Sequence, residues 1–436
     1  MLNPESTAIS HLGACTVRSP LGLATRRGAG TGAFVADRAR VRYQVECDTG
    51  HDLPADILFE KAGPREQIFF APRETRAAIV TCGGLCPGLN NVIRSACLEL
   101  HQNYGVKEVL GIRYGYAGLN PKVGEPPILL TPELVDEIHE VGGTLLGTSR
   151  GPQPLEAMVD FLVERKIQIL LCVGGDGTLR GAGAIASEAQ RRGLAIAVVG
   201  IPKTIDNDVM YIRRTFGVST ATEVARKVLD CAHNEARSAF HGVGLVKVMG
   251  RHAGFIAACA TLASQEVNFC LIPEVPFVLE GRHGFLEALR ERLERRCHAV
   301  VVIAEGAGQD LIANLPAETD ASGNKRLADI GTYLKQRIVD HFAQVQLPVD
   351  VKYFDPSYII RSTPANCDDA LLCDQLARNA AHAAMAGKTN VVIGFWNNAF
   401  THIPIAMAVA EKKQIDPEGM LWTSVLAATN QPRTWA

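Results

Sequence analysis

The sequence predicts an α/β protein with two doubly wound domains, each built on a parallel β-sheet, and an N-terminal extension. The first supporting observation is length, because 436 residues are about three times the size of a typical single domain. The second is composition, since 47% hydrophobic and 21% charged residues are typical of an ordinary globular protein. The third is the alternation of short apolar runs with amphipathic stretches, which indicates parallel strands covered by helices on both faces.

Apolar runs bounded by turn residues predict strands over residues 77–81, 108–112, 167–173, 195–201, 244–248, 269–272, 299–304 and 390–395. Amphipathic stretches predict helices over residues 91–104, 154–166, 179–192, 220–236, 251–264 and 367–387. This alternation is that of a Rossmann-like fold, in which ligands bind at the carboxyl ends of the strands. Residues 1–70 show weak periodicity and form the predicted extension. We therefore expect the functional residues just after each strand.

Net charge and hydropathy exclude several classes of protein. The chain has 44 Lys and Arg residues against 46 Asp and Glu residues, a net charge of -2, so nothing global favours nucleic acid or an anionic membrane as a partner. No apolar run approaches the roughly 18 residues of a membrane-spanning helix. No signal peptide is recognisable, and the early Glu5 and poor Arg spacing disfavour an organelle transit peptide. We expect a cytoplasmic protein.

The 12 cysteines predict buried free thiols rather than disulfides or a zinc site. They are scattered through apolar stretches such as 169–173, and none forms a CxxC pair. Cys82 and Cys86 have no His or second Cys pair nearby to complete a tetrahedral metal site.

A glycine-rich loop, GGLCPGLN at 83–90, follows the first of these strands and precedes a helix. Backbone N–H groups in such a position can hold a phosphate. The spacing imitates a P-loop, but Leu89 and Asn90 stand where that motif requires Lys and Ser or Thr. A tight turn without a ligand explains this loop equally well.

The turn GGDGT at 174–178 follows the strand at 167–173. Asp176 lies among glycines that leave room for a polyphosphate, and Mg²⁺ is usually held by one or two carboxylates together with water and substrate phosphates. The turn is not a dinucleotide-binding fingerprint, because Arg180 stands where the third glycine should be. A solvated aspartate on a turn is the alternative.

The segment PKTIDND at 202–208 follows the strand at 195–201 and places Lys203, Asp206 and Asp208 close together. Two carboxylates at one strand end can have different roles, because one can accept a hydroxyl proton while the other binds a metal. An exposed turn rich in Asp and Asn is the alternative.

Later strand ends carry further polar groups. Arg251 in MGRHAG is placed at a helix start, where its guanidinium can neutralise phosphoryl charge. Glu305 ends another strand, and Tyr358 and Arg361, three positions apart, could both contact one sugar phosphate. Taken singly, Glu305 and Tyr358 are more often structural. Five such turns together are hard to explain as coincidence.

These motifs resemble those of the 6-phosphofructokinase family over residues 75–410. Eight blocks match in family order, namely GGLCPGLN, GGTLLGTSRG, GGDGT, PKTIDND, Phe216-Gly217, MGRHAG, the AEG of Glu305 and the Tyr-x-x-Arg of 358–361. The extension, KTIDND and VKYFDPSYIIR are most similar to the long ATP-dependent branch of trypanosomatids and plants, which is related to the pyrophosphate-dependent enzymes.

The resemblance implies two sets of site residues. In the donor set, Gly84 would lie at the transferred phosphoryl group, Arg150 would bridge it and Asp176 would serve Mg²⁺. The remaining ATP-binding residues would be Gly174, Gly175, Gly177, Thr178 and Lys203.

In the acceptor set, Asp206 would be the base for the sugar 1-hydroxyl, Thr204 a substrate contact, and Asp208 a second carboxylate on the metal side. The fructose 6-phosphate site would be completed by Met249, Gly250, the catalytic Arg251, Glu305, Tyr358, Arg361 and Lys352.

The implied enzyme transfers the γ-phosphoryl of Mg·ATP to the 1-hydroxyl of fructose 6-phosphate in glycolysis, giving fructose 1,6-bisphosphate and ADP. Two domains would close on the substrates, with residues 71–217 and 365–415 binding ATP, residues 218–364 binding the sugar phosphate, and residues 416–436 as a tail. The resemblance also implies an allosteric homo-oligomer, a dimer or a tetramer. However, His241-Gly242-Val243 stands where short bacterial members carry an Arg that reaches the neighbouring subunit's site.

The phosphoryl donor depends on two positions. Pyrophosphate-dependent members typically have Asp at the position of Gly177 and Lys at that of Lys203, whereas short ATP-dependent members have Gly at both. An Asp at 177 would repel the α-phosphate of a nucleotide, so we give Gly177 more weight and expect ATP. Pyrophosphate is the alternative donor. A non-catalytic sugar-phosphate sensor is a remote alternative, because Asp176, Asp206 and Arg251 are all retained.

Overall fold

The computed structural model describes residues 4–25, 30, 32–46, 57–312, 319 and 326–435. Its strands are β1 (Ser10–His11), β2 (Val17–Arg18), β3 (Arg40–Arg42), β4 (Leu58–Lys61), β5 (Gln67–Ile68), β6 (Arg76–Thr81), β7 (Glu108–Ile112), β8 (Ile128–Leu130), β9 (Ile169–Gly174), β10 (Ala197–Pro202), β11 (Gly242–Val248), β12 (Phe269–Leu271), β13 (His298–Ala304), β14 (Asp350–Phe354), β15 (Lys388–Thr389), β16 (Val391–Trp396) and β17 (Ala399–Pro404).

Its α-helices are α1 (Leu89–Leu98), α2 (Leu155–Glu164), α3 (Asp176–Arg191), α4 (Val218–Ser238), α5 (Phe255–Ser264), α6 (Phe285–Arg296), α7 (Ile330–Gln344), α8 (Ser357–Ser362), α9 (Cys367–Met385), α10 (Ile405–Ala408) and α11 (Met420–Thr429). The segment Glu99–Tyr104 continues α1 as a π-helix. Parts of the predicted extension, at residues 1–3, 26–29, 31 and 47–56, lie outside the described residues.

Contacts within the chain divide it into two units. The first unit comprises Met1–Thr204, Val209–Phe216 and Thr363–Glu411, and the second comprises Ile205–Asp208, Gly217–Ser362 and Lys412–Ala436. These units differ from the predicted domains, because residues 205–208 and the C-terminal residues group with the second unit. The extension groups with the first unit.

The first unit is built on a nine-stranded sheet of order β3-β4-β17-β16-β10-β9-β6-β7-β8. The strands from β16 to β7 are parallel, and the flanking strands pair antiparallel. All residues of β9 and β10 are buried, as expected for continuous apolar runs inside a parallel sheet. Both α3 and α9 pack against β10.

The N-terminal extension forms one edge of this sheet. Strands β3 and β4 join it through β17, and β1 pairs with β15. The buried Glu60 on β4 makes ion pairs with Lys388 at 2.5 Å and His402 at 3.0 Å. Tyr43 stacks on Trp396 with 5.3 Å between ring centroids. Burial and ion pairing thus make the described part of the extension integral to the first unit.

The second unit contains a four-stranded parallel sheet of order β12-β13-β11-β14. Apolar side chains of α6 and α7 pack with those of β11 and β13 in one buried cluster. Trp435 joins this cluster, with its ring centroid 6.1 Å from that of Phe285. The C-terminal residues are therefore part of the core of this unit.

The predicted fold class is confirmed, since both sheets have a parallel core with helices packed against it. Predicted strand bounds differ from the observed ones by at most two residues. Two helix starts differ more, because α3 begins at Asp176 and not at 179, and α5 begins at Phe255 and not at 251. Gly250 has a φ of 131° and Gly254 is the N-cap of α5, so Arg251 lies in a turn before the helix.

The cysteines of the described residues are free thiols, of which those at 82, 86, 97, 172, 270 and 373 are buried. Cys231, Cys297 and Cys367 are exposed, which differs from the predicted general burial. Within the described ranges, no helix is long and apolar enough to cross a membrane.

Candidate active site

Three loops singled out in the sequence leave the same edge of the sheet in the first unit. The register pairs Gly174 at the end of β9 with Pro202 at the end of β10, and β6 ends beside them. The loops 83–90, 174–178 and 203–204 therefore start close together. Ligands of open parallel sheets bind at this edge.

The glycine-rich loop is packed against two cations. The buried Lys203 donates from Nζ to the carbonyl oxygen of Gly84 at 2.6 Å. The backbone N–H of Gly83 donates to Ser149 at 3.1 Å, and a Cβ on Gly84 would lie 3.3 Å from Nη2 of Arg150. The structure thus brings together Gly84, Arg150 and Lys203, which the resemblance assigns to the phosphoryl donor.

The GGDGT turn passes directly into α3, whose first residue is Asp176 and whose N-cap is Gly175. Asp176 accepts a hydrogen bond from Nε of Arg180 at 3.1 Å. A Cβ on Gly174 would lie 2.1 Å from Oγ1 of the buried Thr178, so only glycine fits there. The aspartate is therefore fixed at a helix N-terminus, where anions also bind.

Gly177, the second residue of α3, has open space beside it. Apart from its two chain neighbours and the adjacent backbone of α3, no atom lies within 4 Å of the position that a Cβ would take. The fold itself therefore does not require a glycine at this position.

In the second unit, the segment Ile205–Asp208 contacts the MGRHAG turn. The half-buried carboxylate of Asp206 accepts a hydrogen bond from the backbone N–H of Arg251 at 3.3 Å. Thr204, the last residue before this segment, belongs to the first unit, and its carbonyl accepts from the hydroxyl of Thr215 at 2.6 Å. Asp206 and Arg251 are thus held together, as the acceptor set requires.

The pKa of Asp206 is raised to about 7. Burial is the main cause, and the carboxylates of Asp208 and Glu305 add to it, whereas the N–H of Arg251 and the charge of Lys412 act against it. A carboxylate with a pKa near neutrality is suited to accepting a proton at physiological pH.

Asp208 is buried and forms an ion pair with Lys412, whose Nζ lies 2.7 Å from Oδ2. The backbone carbonyl of Asp208 also accepts from the N–H of Lys413 at 3.0 Å. The sequence analysis assigned Asp208 to the metal side. In the structure its carboxylate forms an ion pair with Lys412.

Glu305 and the MGR turn leave neighbouring strand ends, since β11 and β13 pair Val248 with Ala304. The backbone N–H of Gly306 donates to Gly250 at 3.1 Å. Burial raises the pKa of Glu305, although the charge of Arg251 lowers it. Met249, next to Gly250, is buried.

Tyr358 and Arg361 both lie on α8, and the guanidinium of Arg361 lies over the Tyr358 ring, 4.5 Å from its centroid. The Tyr358 side chain is largely exposed. Lys352 is placed differently from this pair. It is the middle residue of the edge strand β14, pairs in register with Gly244, and forms an ion pair with Asp350 at 3.1 Å.

The sequence analysis missed Lys247, which lies at the end of β11. Its Nζ lies 2.8 Å from Asp355 and 3.2 Å from Asp329. Burial opposes its charge, but these ion pairs raise its pKa, and its charge also acts on Glu305. A lysine inside the otherwise apolar strand GVGLVKV was the available signal. No comparable signal marked Lys412.

The chain is similar in sequence to a known family and to several named proteins. The model of the family described as Phosphofructokinase matches residues 76–384. A protein of Borreliella burgdorferi named ATP-dependent 6-phosphofructokinase is 48% identical over 433 residues, covering 97% of this chain and 96% of the relative. The chloroplastic ATP-dependent 6-phosphofructokinase 5 of Arabidopsis thaliana is 47% identical, covering 89% of this chain and 72% of the relative.

Solved structures with the same fold are more distant in sequence. A pyrophosphate-dependent phosphofructokinase from Marinobacter aquaeolei superposes with a TM-score of 0.67 at 19% identity, covering 83% of this chain and 92% of that chain. The Pichia pastoris phosphofructokinase in the T-state gives a TM-score of 0.63 at 23% identity, covering 81% of this chain and 37% of that chain. At these identities the likeness concerns the fold alone.

Proposed function

Because the chain belongs to the phosphofructokinase family, we propose that it is an ATP-dependent 6-phosphofructokinase that phosphorylates the 1-hydroxyl of fructose 6-phosphate. Close relatives over nearly the whole chain carry this name, among them the proteins of Borreliella burgdorferi and Amycolatopsis methanolica. The observation in the site that supports it best is Asp206, a half-buried carboxylate with a pKa of about 7 that is hydrogen-bonded to the MGR turn.

The donor would bind the first unit. Its γ-phosphoryl group would lie at Gly84, where the cations of Lys203 and Arg150 approach the glycine-rich loop. The triphosphate would run along the GGDGT turn toward the open space beside Gly177. Positive charge and backbone N–H groups stabilise the charge that develops on the phosphoryl oxygens during transfer.

Asp176 fits a magnesium ion that is held mainly by substrate phosphates. It offers one carboxylate at the N-terminus of α3, beside open space. Among the described residues, no three His, Cys, Asp or Glu side chains are grouped to hold a metal. Mg²⁺ bound with ATP does not need such a group, because one or two carboxylates with phosphates and water suffice. When bound, the ion would neutralise phosphate charge.

The acceptor would bind the second unit. Asp206 would accept the proton of the sugar 1-hydroxyl while the oxygen forms a bond to the γ-phosphorus, and the bond from that phosphorus to ADP would break. Arg251 would balance the charge of the phosphoryl group. Arg361 and Tyr358 would hold the 6-phosphate, the guanidinium as a two-pronged donor and the phenol through its hydroxyl.

A pyrophosphate donor is the second candidate, and Lys203 is the observation in its favour. Its ammonium is already placed at Gly84, as a short inorganic donor would need. Gly177 and the names of the close relatives favour ATP. The homo-oligomer and the cytoplasmic location stay predictions.

The test is formation of fructose 1,6-bisphosphate, coupled to aldolase, by the purified chain with Mg²⁺ and either ATP or pyrophosphate. We expect a kcat/KM at least about tenfold higher with ATP. Glucose 6-phosphate, which lacks the free 1-hydroxymethyl group, is the control acceptor and should not react. Turnover with pyrophosphate alone would establish the second candidate. Binding of fructose 6-phosphate without turnover on either donor would indicate a sensor.

A further inference from the structure

Residues 412–415, which we call the C-terminal strap, connect two loops, one that contains the candidate base Asp206 and one that directly follows Arg251. The strap follows α10 and belongs to the second unit. The loops are the segment 205–208 and the turn 252–254.

The first loop is held by a charged and a neutral contact. Nζ of Lys412 lies 2.7 Å from Oδ2 of Asp208, and only 10% of that aspartate side chain is exposed. The backbone N–H of Lys413 donates to the carbonyl of Asp208 at 3.0 Å. The Lys413 ammonium lies 5.2 Å from the centroid of the Phe255 ring on α5, which anchors the strap on the same unit.

The second loop is held by the other half of the strap. Nε2 of Gln414 donates to the carbonyl of His252 at 2.9 Å. The backbone N–H of Ile415 donates to Glu274 at 2.8 Å, and the same carboxylate accepts from the N–H of Gly254 at 3.0 Å. The strap therefore joins the residue after Arg251 to the segment that contains Asp206.

Resting on the proposed function, we propose that Lys412 is a positioning residue for phosphoryl transfer, which holds the Asp208 carboxylate and thereby fixes Asp206 beside Arg251. The charges around Asp206 make such a cation necessary. Asp208 and Glu305 both present negative charge to Asp206, and the Lys412 ammonium offsets that of Asp208. Removal of this cation takes compensating charge away from a largely buried carboxylate, which is destabilising, so the segment would move to rehydrate Asp208.

The primary experiment compares Lys412→Met with the parent enzyme. We expect kcat to fall about tenfold or more, because small displacements of a reacting group have large effects on rate. The KM for ATP should stay within about twofold, since Lys412 acts on the acceptor half. Lys412→Arg should regain most of the rate, because a guanidinium can also pair with Asp208. Lys227→Met, which breaks an exposed pair with Glu223, is the matched control and should leave kcat unchanged.

A double-mutant cycle separates positioning from general stability. If Lys412 acts through Asp208, Lys412→Met should add less than about a twofold loss of kcat in an Asp208→Asn background. A full additional loss there, or a kcat of Lys412→Met within twofold of the parent, would overturn the proposal. An inactive parent would instead contradict the proposed function.

Deuterium uptake by the backbone amides tests the strap without relying on activity. Lys412→Met should speed uptake in both 205–208 and 252–254, and Lys227→Met in neither. Unchanged uptake in both segments would also overturn the proposal.

Discussion

The backbone N–H of Arg251 donates to the carboxylate of Asp206 at 3.3 Å, which ties the candidate base to the turn that carries the candidate phosphate-binding guanidinium. Burial raises the pKa of Asp206, and the negative charges of Asp208 and Glu305 raise it further. The position of the base therefore depends on this hydrogen bond, whereas its pKa depends on burial and on the neighbouring carboxylates, so its position and its chemistry can be tested separately.

Replacing Asp206 by Asn should keep the shape of the side chain and remove the base. We expect kcat to fall about a hundredfold or more, because a positioned base typically contributes 10²–10⁴. Binding of fructose 6-phosphate, measured by calorimetry, should stay nearly intact. A mutant whose kcat is within a few-fold of the parent would remove Asp206 from the mechanism.

The pH profile should report the raised pKa of Asp206. The base accepts a proton only when ionised, so kcat/KM should fall about tenfold per pH unit below about 7. Asp208→Asn removes a negative charge that raises this pKa, so the acid limb should move to lower pH. An acid limb near the ordinary carboxyl value of about 4 in the parent, or one that does not move in the mutant, would contradict the role given to Asp206.

Arg361→Ala should weaken fructose 6-phosphate far more than ATP. Loss of a charged fork to a phosphate costs about 1.5–3 kcal/mol, which corresponds to a rise in KM of about tenfold or more. Arg361→Lys keeps the charge but loses the fork and the planar contact with Tyr358, so we expect an intermediate KM. Equal changes for both substrates would disprove the placement of Arg361.

Gly306→Ala should destabilise the second unit. The new Cβ would lie 2.0 Å from the backbone oxygen of Arg251, so the two turns must separate. The expected cost is about 1–3 kcal/mol, seen as a lower midpoint of thermal unfolding. Gly177→Ala is the control, because its Cβ meets no atom within 4 Å. The same midpoint for Gly306→Ala and the control would show that the turns are not packed as described.

The local pattern was enough to predict the parallel strands and the loops that follow them. Continuous apolar runs bounded by turn residues, such as β9, are typical of buried parallel strands, and the end of each strand places its loop at one edge of the sheet. Arg251 was predicted at a helix start because the helical pattern of α5 was extended toward the N-terminus past Gly254. In the structure Gly254 is the N-cap, and α5 begins after it.

Residues whose role depends on distant parts of the chain could not be predicted. The pair of Asp208 with Lys412 joins positions 204 residues apart, and no local pattern encodes it. Strands β3 and β4 are short, and they belong to the sheet because β4 pairs with β17 and β3 pairs with β4. Their own sequence therefore does little to predict them as strands. Lys352 was assigned to the sugar-phosphate site by the resemblance, and its position opposite Gly244 depends on the pairing of β14 with β11.

The donor is the central claim, and Gly177 is the position that tests it. Because the space beside Gly177 is open, Gly177→Asp should fold normally and place a carboxylate against the α-phosphate region. Repulsion between this carboxylate and the α-phosphate should weaken ATP binding by about tenfold or more. Gly177→Ala adds a Cβ without charge and should change ATP use much less.

The decisive measurement is kcat/KM for ATP and for pyrophosphate in the parent, Gly177→Asp and Gly177→Ala, at fixed Mg²⁺ and saturating fructose 6-phosphate. The parent should prefer ATP, and Gly177→Asp should lose ATP use steeply while losing less pyrophosphate use, because pyrophosphate has no α-phosphate or ribose and Lys203 is present to hold it. A parent that prefers pyrophosphate, or a mutation that depresses both donors equally, would contradict the account.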